Sequence, residues 1–379
     1  MRTRRGRGRG LGGGRGVVGV AARVGAALWA AGCGVDVSVP EDPALSGGAV
    51  GVQTIDVDGR AVEIWYPAAP ETDARGDVVD LRAFLPQSFL DVAPEITVPT
   101  LATRAVRDAE VRRGGPFPLV LFSHGFGGFR QQSFDLTTHL ASRGYVVVST
   151  DHAGRGLGDV VPCLLTSTIG DCSFGAFGDD PGPTDLAAVL AWLDGRPDAW
   201  ADVVDLETIG VFGHSAGGGT TTAFTNAELR VDAAFPMAGA GAFERALPSA
   251  IVSGSCDGIV PEAGDGGLIT LGDTTSEGTW SLVGAGHLAF SDLCAADFGA
   301  VGDQVLARED ANSALVPLLL DLGTDGCPTG EPNAELEGCA EGFLSLDASA
   351  PVLRASVAGF FDATLRGADV GWKAGLVGR

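Results

Sequence analysis

Apolar and polar positions along this chain follow two patterns, one typical of strands and one typical of helices. Two alternating segments, Ala49–Val57 and Ala61–Tyr66, flank Asp58-Gly59 and predict a β-hairpin. Further on, short apolar runs rich in β-branched and aromatic residues predict buried strands. These runs lie at 117–123, 145–150, 208–212, 233–237, 250–254 and 279–283.

Helical spacing of apolar residues occurs between these runs and after the last of them. It predicts helices at 81–90, 132–143, 184–194, 217–222 and 350–366. Because strands and helices alternate, we expect an α/β fold with a mostly parallel central sheet and helices on both faces. The cysteine-containing segments 153–182 and 295–347 lack such periodicity and are predicted to be irregular insertions.

Several residues with reactive side chains directly follow predicted strands. In an open parallel sheet, functional sites lie outside the carboxyl ends of the strands. The residues found there are Ser123, Asp151, Ser215, Asp257 and His287. This coincidence is hard to obtain in a purely structural protein, so we expect a site at that edge.

Ser215 is the predicted nucleophile. It lies in a Gly-x-Ser-x-Gly turn between an apolar strand and a run of small residues that begins a helix. Such a sharp turn exposes the serine hydroxyl, and small neighbours avoid clashes with it. The chain contains 58 glycines, so the motif alone is weak. The strand before it and the helix after it make it typical of a nucleophile elbow.

The partners of Ser215 follow from chain order. After this kind of elbow the order is serine, acid, histidine, and of the five histidines only His287 follows Ser215. Asp257 ends an apolar strand and precedes a turn, which suits an acid that must hold the imidazole in one orientation. The alternative acids are Asp232, which precedes a strand, and Asp265 and Asp273 in a glycine-rich loop.

Two backbone N–H groups are predicted to form the oxyanion hole that stabilises the tetrahedral intermediate. One is that of Ala216, the residue after the nucleophile, and the other is that of Phe126 in the glycine-rich loop 123–130. His124 and His214 are predicted to be buried supports of the site rather than catalysts.

Four sequence blocks resemble the platelet-activating-factor acetylhydrolase branch of the α/β-hydrolases, which adjoins dienelactone-hydrolase-like and cutinase-like polyester hydrolases. They are PLVLFSHGFGGFR at 118–130, LASRGYVVV at 140–148, GHSAGG at 213–218 and GHLAFSD at 286–292. The resemblance covers about residues 50–295. It implies the α/β-hydrolase fold and a serine esterase that acts on short-acyl lipids or similar esters. The short Ser–Asp and Asp–His spacings look more like cutinase-type enzymes.

The first 33 residues are predicted to be an export signal. An arginine-rich start leads into the apolar segment 17–31, which Arg23 interrupts and which is too short to span a membrane. It ends in a motif similar to a bacterial lipoprotein cleavage site, with Cys33 as the lipidation candidate. Ordinary cleavage nearby is the alternative. Residues 34–48 are predicted to be a flexible tether, and 49–379 a single catalytic domain.

Six of the seven cysteines remain after Cys33, and an even number in an exported chain predicts three disulfides. Local spacing favours Cys163–Cys172 and Cys327–Cys339. That leaves Cys256–Cys294, which would tie the acid loop to the base loop. Free buried thiols are the alternative for some of them.

Charge restricts the partners. Residues 1–32 hold seven arginines and no acid, and the remaining chain has 18 basic against 48 acidic residues. Such an acidic surface argues against nucleic-acid binding. The family resemblance implies that the partner is a small-molecule, lipid or polyester ester. Through Cys33, the membrane of the cell envelope is a second predicted partner. Secretion is the other predicted location.

The predicted activity is a serine carboxylic-ester hydrolase without metal or cofactor, most active on short-acyl esters. A cutinase-like polyester hydrolase or a lipase is the first alternative. A peptidase, or a binding protein without activity, is compatible with the same fold.

Overall fold

A computed structural model describes residues 47–70, 76–92, 97, 99–160, 180–195, 197, 199–262, 276–296, 338–339, 342–368 and 370–379. These residues belong to one compact unit, Val37–Arg379. The predicted export signal, nearly all of the tether and most of the two predicted insertions lie outside the described residues. Within the described ranges, no helix is both long and apolar enough to cross a membrane.

The strands and helices alternate along the described chain. The strands are β1 Val50–Val57, β2 Arg60–Pro67, β3 Val78–Asp80, β4 Thr100–Ala102, β5 Val106–Arg107, β6 Phe117–Ser123, β7 Val146–Thr150, β8 Val204–His214, β9 Val231–Met237, β10 Ile251–Gly254, β11 Thr279–Leu282 and β12 Val377–Gly378. The α-helices are α1 Gln87–Val92, α2 Phe134–Ser142, α3 Gly182–Asp194, α4 Ala216–Ala227 and α5 Leu346–Arg366.

The described strands form a ten-stranded sheet in the order β12-β11-β10-β9-β8-β6-β7-β2-β1-β5, and β3 pairs with β4 apart from it. The run from β7 through β6, β8, β9 and β10 to β11 is parallel. The hairpin β1–β2 joins β7 antiparallel at one side, and β12 is antiparallel at the far edge. Parallel neighbours require crossover connections, which the helices supply. The predicted α/β fold is confirmed.

Both faces of the central parallel strands are covered, which explains why these strands are mostly apolar rather than alternating. Successive residues of β6 point to opposite faces. Phe122 joins a cluster with residues of α2 and α5, such as Leu140 and Phe360, whereas Leu121 joins one with residues of α3 and α4. Complete burial of one such side chain contributes roughly 1.5–3 kcal/mol, so these two layers fix the strand ends that carry the site.

Two predicted elements differ in detail from the observed ones. The hairpin forms in the predicted register, with Asp58 and Gly59 at positive φ values of 53° and 81°. The predicted helix at 81–90 is instead a 3₁₀ turn, Leu81–Phe84, followed by α1. Pro86 lies between them and disfavours helical backbone at Leu85, which adopts an extended conformation.

Candidate active site

Ser215 occupies a strained turn at the end of β8. The strand ends at His214 and α4 begins at Ala216, so Ser215 alone reverses the chain. Its φ and ψ are 58° and −122°, which L-residues rarely adopt and which surrounding structure must enforce. Its N–H donates to the carbonyl oxygen of Met237 at 2.9 Å. The end of β9 therefore holds the turn, and Ser215 remains only half-buried.

Glycines around Ser215 allow backbone segments to approach closely. A Cβ atom on Gly217 would collide with the carbonyl oxygen of Ser123, and one on Gly218 with that of Gly239. The loops after β6 and β9 thus press directly on the first turn of α4. The small residues that follow the serine are required by this contact and not by helix formation, which glycine disfavours.

Asp257 and His287 form a buried hydrogen-bonded pair. Asp257 follows β10 and His287 follows β11, and Oδ2 of the carboxylate lies 2.8 Å from Nδ1 of the imidazole. Oδ1 of Asp257 accepts the N–H groups of Ile259 and Val260 at 2.9 and 2.7 Å. A carboxylate fixed in this way orients the imidazole and keeps its proton on Nδ1. Nε2 is then the ring atom that can accept a proton.

His287 lies over the serine turn. Its ring centroid is 4.8 Å from that of His214, the residue before Ser215. Nε2 of His214 donates to the carbonyl oxygen of His287 at 2.9 Å. The structure therefore joins Asp257 to His287 directly and places His287 against His214, the residue that precedes Ser215.

Of the alternative acids, only Asp232 lies within the described residues. Its Oδ2 accepts the N–H of Ile209 at 2.9 Å near the start of β9, whereas Ser215 contacts the end of that strand. Asp232 therefore lies at the amino-terminal ends of the parallel strands, and Ser215 lies at their carboxyl ends. Asp265 and Asp273 lie outside the described residues.

The loop after β6 lies against Ser215. A Cβ atom on Gly125 would be 3.2 Å from Cβ of Ser215, so a side chain there would crowd the serine. Phe126 follows in this loop, and Ala216 is the first residue of α4, where N–H groups have no partner inside the helix. The two segments that carry the predicted oxyanion donors thus converge on the serine.

A second group of histidines supports this loop from inside the protein. Nδ1 of His124 donates to the carbonyl oxygen of Gly125 at 2.7 Å, and its Nε2 accepts the N–H of His152 at 3.1 Å. Arg155 donates through Nη2 to Oγ of Ser123 at 2.9 Å and to the carbonyl oxygen of His124 at 2.8 Å. His124 is fully buried and His214 nearly so, as expected of supports.

Ser123, His152 and Asp185 form a hydrogen-bonded series of their own. Oγ of Ser123 is 2.9 Å from Nε2 of His152, and Nδ1 of His152 is 3.2 Å from Oδ2 of Asp185. None of the three is more than 3% exposed. Ser123 and Asp151 had been expected at the strand ends, but nothing in the sequence identified the series.

Burial controls the protonation of these imidazoles. Desolvation lowers the pKa of His124, His152 and His214 well below the ordinary value, and electrostatic repulsion from neighbouring groups lowers it further. The neighbours are His152 and Arg155 for His124, Arg155 for His152, and His287 for His214. Desolvation also raises the pKa of Asp185, against the opposing effect of Arg60. Each neutral ring therefore donates through one nitrogen and accepts through the other.

Comparisons with known proteins agree with the fold that carries this site. Residues 54–157 match the family model for platelet-activating factor acetylhydrolase, isoform II. A solved ferulic acid esterase from Streptomyces cinnamoneus superposes with a TM-score of 0.57 and 23% identity, covering 88% of this chain and 94% of that one. The chain has the α/β-hydrolase fold.

The α/β-hydrolase resemblance extends to a curated relative, the platelet-activating factor acetylhydrolase of Bos taurus. That protein is 38% identical over 53 residues, which are 14% of this chain. The matched segment spans only 12% of the relative's length. These residues support the predicted branch of the α/β-hydrolases. Because the match is so short, the activity of the whole relative is not transferred to this chain.

The disulfide bonding of this chain corrects two predicted pairs. Cys294 is bonded to Cys339, with Cα atoms 5.2 Å apart, so neither Cys256–Cys294 nor Cys327–Cys339 forms. Cys256 is disulfide-bonded as well. Local spacing failed because the chain returns to the base loop: the N–H of Leu344 donates to the carbonyl oxygen of Gly284 at 2.7 Å. The bridge therefore ties the base loop to this returning segment and not to the acid loop.

The remaining predicted cysteines, Cys33, Cys163, Cys172 and Cys327, lie outside the described residues. Within the described ranges, no three His, Cys, Asp or Glu side chains are grouped so that they could hold a metal ion.

Proposed function

We propose that this chain is a serine carboxylic-ester hydrolase that works through an acyl-enzyme. The observation that carries the proposal is the Asp257–His287 pair held over the strained Ser215 turn. A strained serine near an imidazole that a carboxylate orients is the arrangement that activates a weak hydroxyl nucleophile. The names of the similar proteins, an acetylhydrolase and an esterase, support ester hydrolysis over other acyl transfers.

In the first half-reaction, Oγ of Ser215 attacks the carbonyl carbon of the ester while Nε2 of His287 takes the hydroxyl proton. The amides of Phe126 and Ala216 bind the oxyanion of the tetrahedral intermediate. The intermediate collapses, and His287 returns its proton to the departing alcohol. Water then attacks the acyl-enzyme by the same route and releases the acid, with Asp257 stabilising the imidazolium each time.

Pre-steady-state hydrolysis of p-nitrophenyl acetate tests this proposal. We expect a burst of p-nitrophenol of about one equivalent per enzyme, followed by slower turnover as the acyl-enzyme hydrolyses. The matched anilide, p-nitroacetanilide, should react far more slowly. Absence of ester turnover by the pure protein would refute the proposal, and faster turnover of the anilide would indicate a peptidase.

We also propose a preference for short acyl groups. Among the described residues after Ser215, α4 follows directly and no long amphipathic segment precedes Asp257 that could serve as a lipase-type lid. Phe174 and Phe177, the predicted apolar wall of the 153–182 segment, lie outside the described residues. An open cleft buries little of a long chain, and each buried CH₂ contributes only about 0.8 kcal/mol.

Esters of graded chain length test this preference. We expect kcat/KM to peak between acetyl and butyryl p-nitrophenyl esters and to fall more than about tenfold by dodecanoyl. A peak at decanoyl or longer, or a rise in rate above the solubility limit of the substrate, would favour a lipase.

We infer that the protein is exported, since the Cys294–Cys339 disulfide requires an oxidising compartment. Lipid attachment at Cys33 remains a prediction from the sequence. Replacing Cys33 with alanine should move the protein from the membrane fraction to the soluble fraction if this residue is lipidated. An unchanged distribution would indicate ordinary cleavage.

A further inference from the structure

Three loops of the site meet through one buried side chain, that of Gln132, which lies just before α2 and is 1% exposed. Its Oε1 accepts the N–H of Gly125 at 3.0 Å, and its Nε2 donates to Nδ1 of His214 at 2.7 Å. His214 in turn donates through Nε2 to the carbonyl oxygen of His287 at 2.9 Å.

We propose that Gln132 is a positioning residue that sets the oxyanion loop and the base loop relative to each other at Ser215. Its carbonyl oxygen holds Gly125, the neighbour of the predicted oxyanion donor Phe126. Its amide nitrogen holds His287 through the ring of His214. The proposal rests on the function proposed above, because it assigns the bridge a role in that reaction.

The direction of each bond in this bridge is determined by the others. An amide NH₂ group can only donate, so Nδ1 of His214 carries no proton and its Nε2 does. A reversed amide would place the NH₂ group against the N–H of Gly125 and the oxygen against the lone pair of Nδ1. Both buried contacts would then be lost. The bridge therefore has one stable arrangement.

Gln132 is itself held on both sides. Its N–H donates to the carbonyl oxygen of Phe129 at 2.9 Å, and its own carbonyl oxygen accepts the N–H of Asp292 at 3.1 Å. Oδ2 of Asp292 accepts the N–H of Asp135 in the first turn of α2 at 2.8 Å. Since Asp292 follows His287 in the chain, the base loop is attached to the 132–135 segment by main-chain and side-chain bonds together.

The titratable groups around the bridge keep it neutral. Burial and the nearby His287 lower the pKa of His214. His287, which is bonded to Asp257, faces it from the base loop, and His124 lies on the side of the oxyanion loop. Desolvation raises the pKa of Asp292 well above its ordinary value, with Asp135 adding to the effect. The hydrogen bond to the carbonyl oxygen of His287 raises the pKa of His214, but burial lowers it more.

Gln132→Glu tests the bridge because it exchanges the donating NH₂ group for an oxygen of the same size. The carboxylate cannot donate to Nδ1 of His214. The hydrogen bond between the two side chains can then form only after one of them takes up a proton, which happens at lower pH. At pH 8 we expect kcat for p-nitrophenyl acetate to fall about 10- to 100-fold with KM changed less than about threefold. Relative to the wild type, kcat should recover as the pH is lowered toward 6.

Two comparisons separate positioning from a loss of stability. Gln87→Glu makes the same chemical change at an exposed residue and should leave kcat and its pH profile unchanged. Gln132→Met removes both bonds without adding a charge, so its kcat should be low at every pH, with no recovery. If the glutamate variant fails to fold, the methionine variant tests the proposal by itself. A positioning role then predicts a lower kcat with KM nearly unchanged. Wild-type kcat and pH profile in both folded Gln132 variants would overturn the proposal.

Imidazole ¹⁵N spectroscopy of the resting wild-type protein provides a readout without catalysis. With five histidines in the chain, a His214→Gln variant assigns the signal. We expect a neutral ring with the proton on Nε2. A proton on Nδ1 would overturn the bridge, even in an active esterase. If the wild type hydrolyses no ester but shows this tautomer, the proposed function fails while the geometry of the bridge stands.

Discussion

A serine, a histidine and an aspartate occur near one another at two places in this molecule. One set is Ser215, His287 and Asp257, and the other is Ser123, His152 and Asp185. In both, the carboxylate lies within hydrogen-bonding distance of Nδ1 of the imidazole, at 2.8 Å in the first set and 3.2 Å in the second. The proposed chemistry belongs only to the first set, so the bond between histidine and aspartate does not account for the difference.

Backbone conformation and access distinguish the two serines. Ser215 has a φ of 58° in a turn and is half-buried. Ser123 is the last residue of β6, pairs in register with Gly213 of β8 and is fully buried. A substrate carbonyl can approach the first hydroxyl but has no path to the second. Strain at a strand end is therefore a better indicator of a nucleophile than a hydrogen bond to histidine.

Charge distinguishes them as well. Arg155, 1% exposed, donates to Oγ of Ser123 and also pairs with Asp180 and Thr220. This guanidinium donor engages a lone pair of Oγ of Ser123, which makes the oxygen less available to attack a carbonyl carbon. The buried set instead completes a polar network beneath the oxyanion loop, in which each group needs its partner because unsatisfied buried groups are costly. The comparison predicts that substitutions in the first set lower activity and those in the second lower stability.

The largest expected effect comes from the two serines. Ser215→Ala should reduce kcat/KM for p-nitrophenyl acetate by about 10⁴-fold or more while the protein stays folded. Ser123→Ala should keep activity within about tenfold and lower the free energy of unfolding by about 1–3 kcal/mol, because Arg155 and His152 each lose a buried partner. Esterase assays and urea unfolding of both variants measure this. Equal losses of activity would mean that the two sets cannot be separated.

The carboxylates give the next largest contrast. Asp257→Asn should reduce kcat by roughly 10²–10⁴, because an amide favours the wrong tautomer of His287. Asp185→Asn should leave kcat within about tenfold and lower the free energy of unfolding by about 1–3 kcal/mol. Steady-state kinetics beside thermal unfolding checks both. A damaging Asp185→Asn with a harmless Asp257→Asn would show that the acid has been misassigned.

The smallest effect is a pH dependence of stability. Burial depresses the pKa of His152 in the folded protein, so below its ordinary value of about 6.5 only the unfolded chain takes up this proton. Its contribution to stability is thus complete above pH 6.5 and is lost as the pH falls toward the folded pKa. The slope per group is at most about 1.4 kcal/mol per pH unit.

Replacing His152 with glutamine should flatten this slope between pH 5 and 6.5, whatever its effect on the absolute free energy of unfolding. His124 and His214 would still contribute, so some slope should remain. Urea unfolding across this pH range gives both slopes. Parallel curves for the variant and the wild type would mean that folding does not lower the pKa of His152.

The sequence was sufficient to predict the carboxyl ends of the central strands to within two residues, and Ser215, Asp257 and His287 follow three of these ends. Apolar runs covered on both faces are long enough to recognise, and the parallel arrangement puts their carboxyl ends together. The hairpin turn at Asp58-Gly59 was equally clear because few residues other than glycine, asparagine and aspartate adopt positive φ values.

Contacts between distant parts of the chain could not be predicted. Gln132 looks like any polar residue before a helix, and only the fold places it between Gly125 and His214. The pairing of Cys294 with Cys339 depends on where the chain returns after residue 296, which local spacing does not record. Ser123 and His152 were visible at strand ends, but their link through Arg155 and Asp185 depends on how α3 packs on the sheet.

Labelling with a fluorophosphonate tests the central claim most directly, because this reagent reacts with an activated serine hydroxyl and not with a merely hydrogen-bonded one. After reaction of the folded wild-type protein, intact mass should increase by one adduct, and peptide mapping should place it on Ser215, with Ser123 unmodified. An adduct on Ser123, or no adduct on a folded protein, would contradict the account.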